Sequence, residues 1–390
     1  MKVVLSITNM SLNLGNNMTD KHLLKYCTNC LMPSTRPRVT FNEQGICNAC
    51  QWAEEKKNKI DWGSRKKELL HYCDKYRSQT GNFDCIVPVS GGKDSSYVAY
   101  VMKHEMGMHP LCVNVTPLLE FEIGKQNLSN FIHSGYDCIQ ITPDPKITRK
   151  ISRKCLIEYG QPLMSWIINV QVAIFKIAIN FNVPFVMFGE DGETEYGGTS
   201  KLKNSAVYDI EDSVKLYLSG VNPDQFKGEF SDKELYWWLY PSEDKFRQAG
   251  LAITHWSYFE NWDPYHHYLV AKEKAGLKEK PAASASTYNN FAQTDTSLYD
   301  LHVYLMYLKF GFGRCTQDVG VDIRRGAMTR KQGLQLVKIY DGVYPEPFIK
   351  SYLEYFNITM EEFDAVLDRH ANKELFEKVD GRWVPMFEVY

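Results

Sequence analysis

Residues 87–100 read VPVSGGKDSSYVAY, and the reading of this stretch decides the fold. Cys85 to Val89 is a short apolar run of the length expected for a buried strand. Gly91 and Gly92 follow and permit a tight turn with close backbone approach. Ser95, Ser96, Tyr97, Val98 and Ala99 then begin a helix. A strand, a glycine turn and a helix N-terminus present free N–H groups and a positive dipole end to an anion. Ser90, Ser95 and Ser96 add hydroxyls and Lys93 adds a cation. A Walker A loop would need G-x-x-x-x-G-K-[ST]. Here Asp94 follows the lysine, so the loop cannot wrap a β,γ-phosphate in that way. A carboxylate in the first helical turn suits the dipole but repels a bare phosphate, and a bridging Mg²⁺ resolves the conflict.

The pattern S-G-G-x-D-S resembles the PP-loop of the ATP pyrophosphatase families, which split ATP between the α and β phosphates. Under that resemblance Ser90, Gly91, Gly92, Lys93, Asp94, Ser95 and Ser96 hold the departing pyrophosphate. Outward from the loop the period alternates. Strands are expected at 84–89, 110–115, 137–141 and 184–188, and helices at 95–104, 120–134 and 164–180. Alternating βα units imply a parallel sheet with ligands at the carboxyl ends of its strands. The resemblance places adenosine at the second strand end, on Val113, Asn114 and Val115. At the last strand end FGEDGETEYGG (188–198) crowds Glu190, Asp191, Glu193 and Glu195. This is either a solvated loop or a site for magnesium pyrophosphate and the reacting amide. Glu190 and Asp191 are nearest, so with Asp94 they are the candidate catalytic carboxylates.

Upstream, YCTNCLMPSTRPRVTFNEQGICNAC (26–50) sets two C-x₂-C pairs sixteen residues apart. Cys27, Cys30, Cys47 and Cys50 have the spacing of a structural zinc ribbon. Four thiolates close a tetrahedron and leave no open position for catalysis; an iron–sulfur cluster is the lesser alternative. The ten cysteines, partly in close pairs, fit a reducing compartment better than a disulfide framework. The cytoplasm is therefore the expected location. A net charge of −2 gives no basic field for nucleic acid. No apolar run approaches the ~18 residues of a spanning helix. With 44% apolar and 24% charged residues in 390, the chain reads as an ordinary globular protein with several domains.

The expected division is a tail at 1–25, the ribbon at 26–52, a helical linker at 53–82, the PP-loop domain at 83–205 and a mainly helical region at 206–390. The tail begins with an apolar stretch, Met1–Ile7, too short for the apolar region of a signal peptide, and is expected to be mobile or an edge strand. Beyond residue 200, Tyr236–Trp238 and HWSYFENWDPYHHY (255–268) are rich in aromatics. They suit a sugar or nucleotide site, or equally core and subunit interface.

The run TYNNFAQTDTSLYDLHVYLMYLKFGFGRCTQDVGVDIRRGAMTRKQGLQLVKIYDG (287–342), with the cysteine quartet and SGGKDSS, resembles the bacterial N-acetyl sugar amidotransferases. Those enzymes serve surface-polysaccharide (lipopolysaccharide) and nonulosonic-acid pathways. The resemblance implies an α/β fold: a Rossmann-like PP-loop domain of the adenine nucleotide α-hydrolase type, with an N-terminal zinc ribbon and a mainly helical C-terminal region. It implies that ATP adenylates the acetamido oxygen of a free or nucleotide-linked diacetamido sugar, and that ammonia then yields an acetamidino group. Thr287, Tyr288, Asn290, Lys309, Arg314 and Arg324 are the expected acceptor-binding residues; Arg325 and Arg330 offer further cations. No glutaminase nucleophile motif is evident. The resemblance implies a separate glutaminase and a cyclase-like barrel companion as partners. The rival expectations are a tRNA-thiolating enzyme, which would need a basic groove and cysteines near the loop, and a non-enzymatic ribbon scaffold.

Overall fold

The computed structural model describes residues 24–208, 218, 221–284 and 286–390. The apolar start Met1–Ile7 and nearly all of the tail lie outside the described residues. The strands are β1 (Cys85–Pro88), β2 (Pro110–Val115), β3 (Cys138–Ile141), β4 (Phe185–Phe188), β5 (Val207–Tyr208) and β6 (Ala252–His255). They form a six-stranded sheet in the order β3-β2-β1-β4-β6-β5. All neighbours are parallel except β5 against β6. From β1 the chain winds through β2 to β3 on one side and resumes with β4 on the other. The carboxyl ends of β1 and β4 therefore flank a crevice where the strand order reverses, the usual ligand site of an open α/β sheet.

Alternate residues along each strand feed two cores. Cys85, Val87, Val89, Phe185 and Met187 pack with Tyr97, Val98, Met102, Leu128 and Phe131. Ile86, Leu111, Val113, Val115 and Val186 pack against Ala173, Ile174, Phe175 and Ile177 of the helix Met164–Asn180. The sheet does not end at residue 205. β6 pairs in register with β4, and the helix Pro264–Ala275 packs on the loop helix Lys93–Tyr100. The expected boundary between an α/β unit and a helical remainder is thus displaced: residues 252–275 complete the sandwich.

The region beyond is helical as expected, apart from a terminal hairpin of β7 (Phe376–Val379) and β8 (Arg382–Pro385). Its helices include Leu298–Phe310, Arg314–Arg324 and Arg330–Tyr340. Leu298, Leu301, Leu305, Tyr352, Phe356 and Phe363 form a core that closes on Leu156 and Leu163 of the α/β unit. The linker is two helices, Asn48–Asn58 and Trp62–Tyr76. It breaks where Asp61 caps the second by accepting from Ser64 N.

Candidate active site

The loop after β1 turns at Gly91, whose φ is +76°. A Cβ there would lie 2.4 Å from Leu128 N, so only glycine fits. Ser90 Oγ accepts from Gly92 N at 3.4 Å, and Ser95 Oγ accepts from Ser90 N at 3.3 Å. The helix Lys93–Tyr100 begins at once, with Gly92 as its cap. Ser90, Gly92, Lys93, Asp94 and Ser95 line a cavity of about 460 Å³ in the β1/β4 crevice. Gly91 turns away, and Ser96 is buried outside the lining.

Lys93 pairs with Asp94. The other Asp94 oxygen meets His267 Nδ1 at 2.9 Å. Burial would raise the Asp94 carboxyl, but Lys93 and then His267 outweigh it and hold its pKa at about 2. Glu190, at the carboxyl end of β4, also lines the cavity. Burial, then the nearby Asp94 charge, pushes its pKa up to about 7. Val113 and Val115 form an apolar wall with Leu163, Trp166, Ile167 and Val170. Asn114 does not line it; its amide donates to Val89 O at 2.9 Å and ties β2 to the loop.

Asp191 is not in the cavity. It accepts from Glu193 N at 3.0 Å and from Tyr208 Oη at 2.9 Å, which caps the short turn of helix Gly192–Glu195. The expectation that it faces the same space as Glu190 is corrected: its side chain is held by the loop backbone and by Tyr208 of β5. Glu193 and Glu195 also turn away from the cavity, towards the cysteine-bearing segment. Glu193 takes a bidentate pair from Arg38 at 2.8 and 2.6 Å. Glu195 accepts from Trp52 Nε1 at 3.1 Å and Lys56 Nζ at 2.6 Å.

The sulfurs of Cys27, Cys30, Cys47 and Cys50 are buried and lie within 4.8 Å of one another. Backbone N–H groups of Asn29 and Cys47 point at Cys27 Sγ, at 3.4 and 3.2 Å. Four convergent sulfurs, that of Cys27 assisted by two N–H groups, fit a tetrahedral metal with no open position. Phe41 and Cys47 form an antiparallel bridge between the two cysteine pairs.

The C-terminal region supplies the far wall. Phe291 to Thr296, Tyr299, His302 and Arg314 close the cavity. Lys93, Tyr196, Phe291, Ala292 and Arg314 also face an adjoining recess of about 300 Å³, lined further by Tyr265, Tyr288, Asn290, Asp318, Asp322 and Arg325. Arg314 Nε lies 2.8 Å from Asp318. Thr287 is buried behind it and donates to Asp318 at 2.6 Å. Tyr288 donates to Asp322 at 2.6 Å.

Other expected acceptor contacts lie elsewhere. Lys309 donates to Tyr159 O and, at 3.0 Å, to Gly160 O, which caps the helix Pro145–Tyr159. Arg324 donates to Glu195 O at 2.9 Å on the ribbon side, where it faces the cysteine sulfurs. Arg330 likewise reaches Cys27 O at 3.4 Å. In the aromatic stretches Trp238, Trp256, Phe259 and Trp262 are buried in the core, while Tyr236, Tyr265 and His266 are exposed and Tyr265 lines the recess.

Sequence reasoning missed His267. It is wholly buried, stacks on Tyr97 with centroids 4.1 Å apart, and reaches Asp94 from a helix 173 residues away. Its neighbour His266 hid it in the sequence, because a His-His pair carries no sign of which ring faces inward.

Residues 285–389 match the family model described as LPS biosynthesis protein WbpG-like, C-terminal domain. No curated protein matches the chain. Among solved structures, the U34-tRNA thiolase NcsA from Methanococcus maripaludis, with its [4Fe-4S] cluster, aligns over 78% of this chain and 87% of its own. At 11% identity and a TM-score of 0.30 that likeness carries no argument. The residues that match this model wall the cavity and floor the recess, so the likeness to the WbpG-like LPS biosynthesis domain falls on the side of the crevice that faces the SGGKDSS loop.

Proposed function

We propose that the chain is the synthetase half of an ATP-dependent N-acetyl sugar amidotransferase in lipopolysaccharide or related surface-glycan synthesis. The observation that carries this reading is the joining of two spaces. The SGGKDSS loop lines one, the WbpG-like region lines the other, and Lys93 and Arg314 stand between them. ATP would occupy the larger cavity, with adenine on the Val113/Val115 wall. The recess would take the acceptor sugar, and Tyr288, Asn290 and Arg314 are the expected acceptor residues that remain there.

In this reading the acetamido oxygen attacks the α-phosphorus and the α–β bridging bond breaks. Pyrophosphate leaves and an imidate–AMP forms. Ammonia adds to the imidate carbon, and the carbon–oxygen bond breaks as AMP departs. An acetamidino group remains, and the original carbonyl oxygen leaves in AMP. The loop N–H groups, Ser90, Ser95 and Lys93 would stabilise charge on the departing pyrophosphate. The ionised Asp94 and the loop hydroxyls are hard oxygen donors that suit magnesium. Bound there, the ion would neutralise phosphate charge. Glu190, poised near neutrality, is placed to take the proton that ammonia loses on attack.

The four-sulfur site would hold zinc in a structural role. The ammonia would come from a partner glutaminase with its cyclase-like companion. In support, Cys73, Cys85, Cys112, Cys155 and Cys315 are buried and burial pushes their thiols up, which is the reverse of an activated nucleophile. None of the cavity-lining residues is a cysteine, which disfavours tRNA thiolation. The test is incubation with ATP, magnesium, ammonium and UDP- or CMP-linked diacetamido sugars. AMP, pyrophosphate and a product lighter by the difference between O and NH are expected. ADP and phosphate as sole products would overturn the reading.

A further inference from the structure

The ribbon lies beside the catalytic crevice, and its ties to the loop after β4 are dense. Arg38 grips Glu193 through two hydrogen bonds, at 2.8 and 2.6 Å. Arg36 donates to Tyr196 O, and Asn48, beside the ligand Cys47, donates to Gly198 O. Trp52 and Lys56 hold Glu195, both side chains of the Lys56–Glu195 pair being more than nine-tenths buried. Gly197 lets the loop lie against Ala49, where a Cβ would come within 3.3 Å of the alanine's. A Cβ on Gly198 would lie 2.1 Å from a Glu193 oxygen, so the loop can close on this clasp only with glycine there. The same loop begins at Glu190 and contains Tyr196, and both line the ATP cavity. Tyr196 also lines the recess.

We infer that the metal-bound ribbon is a positioning device for the active site. By fixing Arg36, Arg38, Asn48, Trp52 and Lys56, the four-cysteine centre sets the path of residues 190–198, and with it Glu190 and Tyr196. Arg38, Glu193 and Glu195 are then positioning residues that act through the loop and do not touch substrate. The chemistry explains why the acidic run is so dense. A carboxylate that leaves water is stable only with a partner cation; the ribbon supplies Arg38 and the helix that runs on from Cys50 supplies Lys56, so the loop's ordered form needs the ribbon's. Four converging sulfurs without a metal have no reason to hold the knuckles in place, and the clasp would loosen with them.

The experiment compares wild-type protein, the same protein stripped with a zinc chelator, and full-length Arg38→Gln and Glu193→Gln variants. Hydrogen exchange of residues 190–198 is the first readout and needs no substrate. Stripping is expected to remove protection from 190–198 while β1, β2 and β4 stay protected, and re-adding zinc should restore it. Should stripping unfold the whole chain, the two variants decide. They are expected to retain their metal, to lose protection at 190–198, and to raise the KM for ATP between about 3- and 30-fold. The KM readout rests on the cavity being the ATP site. Wild-type protein that cleaves no ATP would defeat that reading and leave the exchange result standing. Unchanged protection at 190–198 in the variants overturns the inference. So do variants that shed metal while the loop stays protected, because the clasp would then serve only the ribbon.

Discussion

At the residue scale the site turns on two carboxylates whose surroundings drive them apart. Asp94 is held ionised by Lys93 and His267, while Glu190 is raised to about 7 by burial and by Asp94 itself. A base works only when deprotonated, so the ammonia-dependent step should speed up as pH rises through about 7. Glu190→Gln should remove that limb and lower kcat by roughly 10²–10⁴-fold; a pH–rate profile of both proteins at saturating ATP and constant free NH3 checks it. His267→Leu would take one partner from Asp94 and leave packing volume nearly intact. The expected loss of stability is about 1–3 kcal/mol, with a larger change in the KM for ATP than in that for the acceptor. Denaturant titration and steady-state kinetics separate the two effects. Gly91→Ala would drive a methyl into Leu128 and force an unfavourable φ; it should abolish ATP binding measured by calorimetry.

At the element scale the sequence was most legible where a short-range pattern fixes an element. β2 and the helix Met164–Asn180 occur where their apolar runs place them. The helix Pro145–Tyr159 was missed although its signals are present: Asp144 and Pro145 at the start and Gly160, at φ 57°, at the end. Its basic residues mask the stripe formed by Ile147, Ile151 and Cys155. β6 escaped notice because four residues have no period of their own, and only pairing with β4, far earlier in the chain, makes them a strand. In the acidic loop only the Glu190 carboxylate lines the cavity as expected, for a related reason. Its charges are local, but the partners that decide their meaning, Arg38, Trp52 and Lys56, are about 140–155 residues away.

The Lys56–Glu195 pair allows a direct check. Lys56→Met or Glu195→Gln alone should cost about 3–5 kcal/mol, since each leaves a buried charge. The double variant should recover part of that loss in a thermal-unfolding double-mutant cycle.

At the scale of the whole molecule, the chain joins a crevice at the carboxyl ends of β1 and β4, a four-cysteine cluster and a helical region that matches the WbpG-like model around one pair of connected spaces. Metal analysis should find zinc bound to the quartet, and Cys27→Ser should lower soluble yield more than the specific activity of what folds. The central claim is that ATP activates the acetamido oxygen by adenylation, and one isotope experiment addresses it directly. A diacetamido nucleotide sugar carrying ¹⁸O in its acetamido groups is turned over with ATP, magnesium and ammonium, and the products are analysed by mass spectrometry. The account predicts ¹⁸O in AMP, none in pyrophosphate, and an acetamidino sugar that has lost the label. Label appearing in inorganic phosphate, or AMP formed without label while the sugar keeps its oxygen, would contradict it.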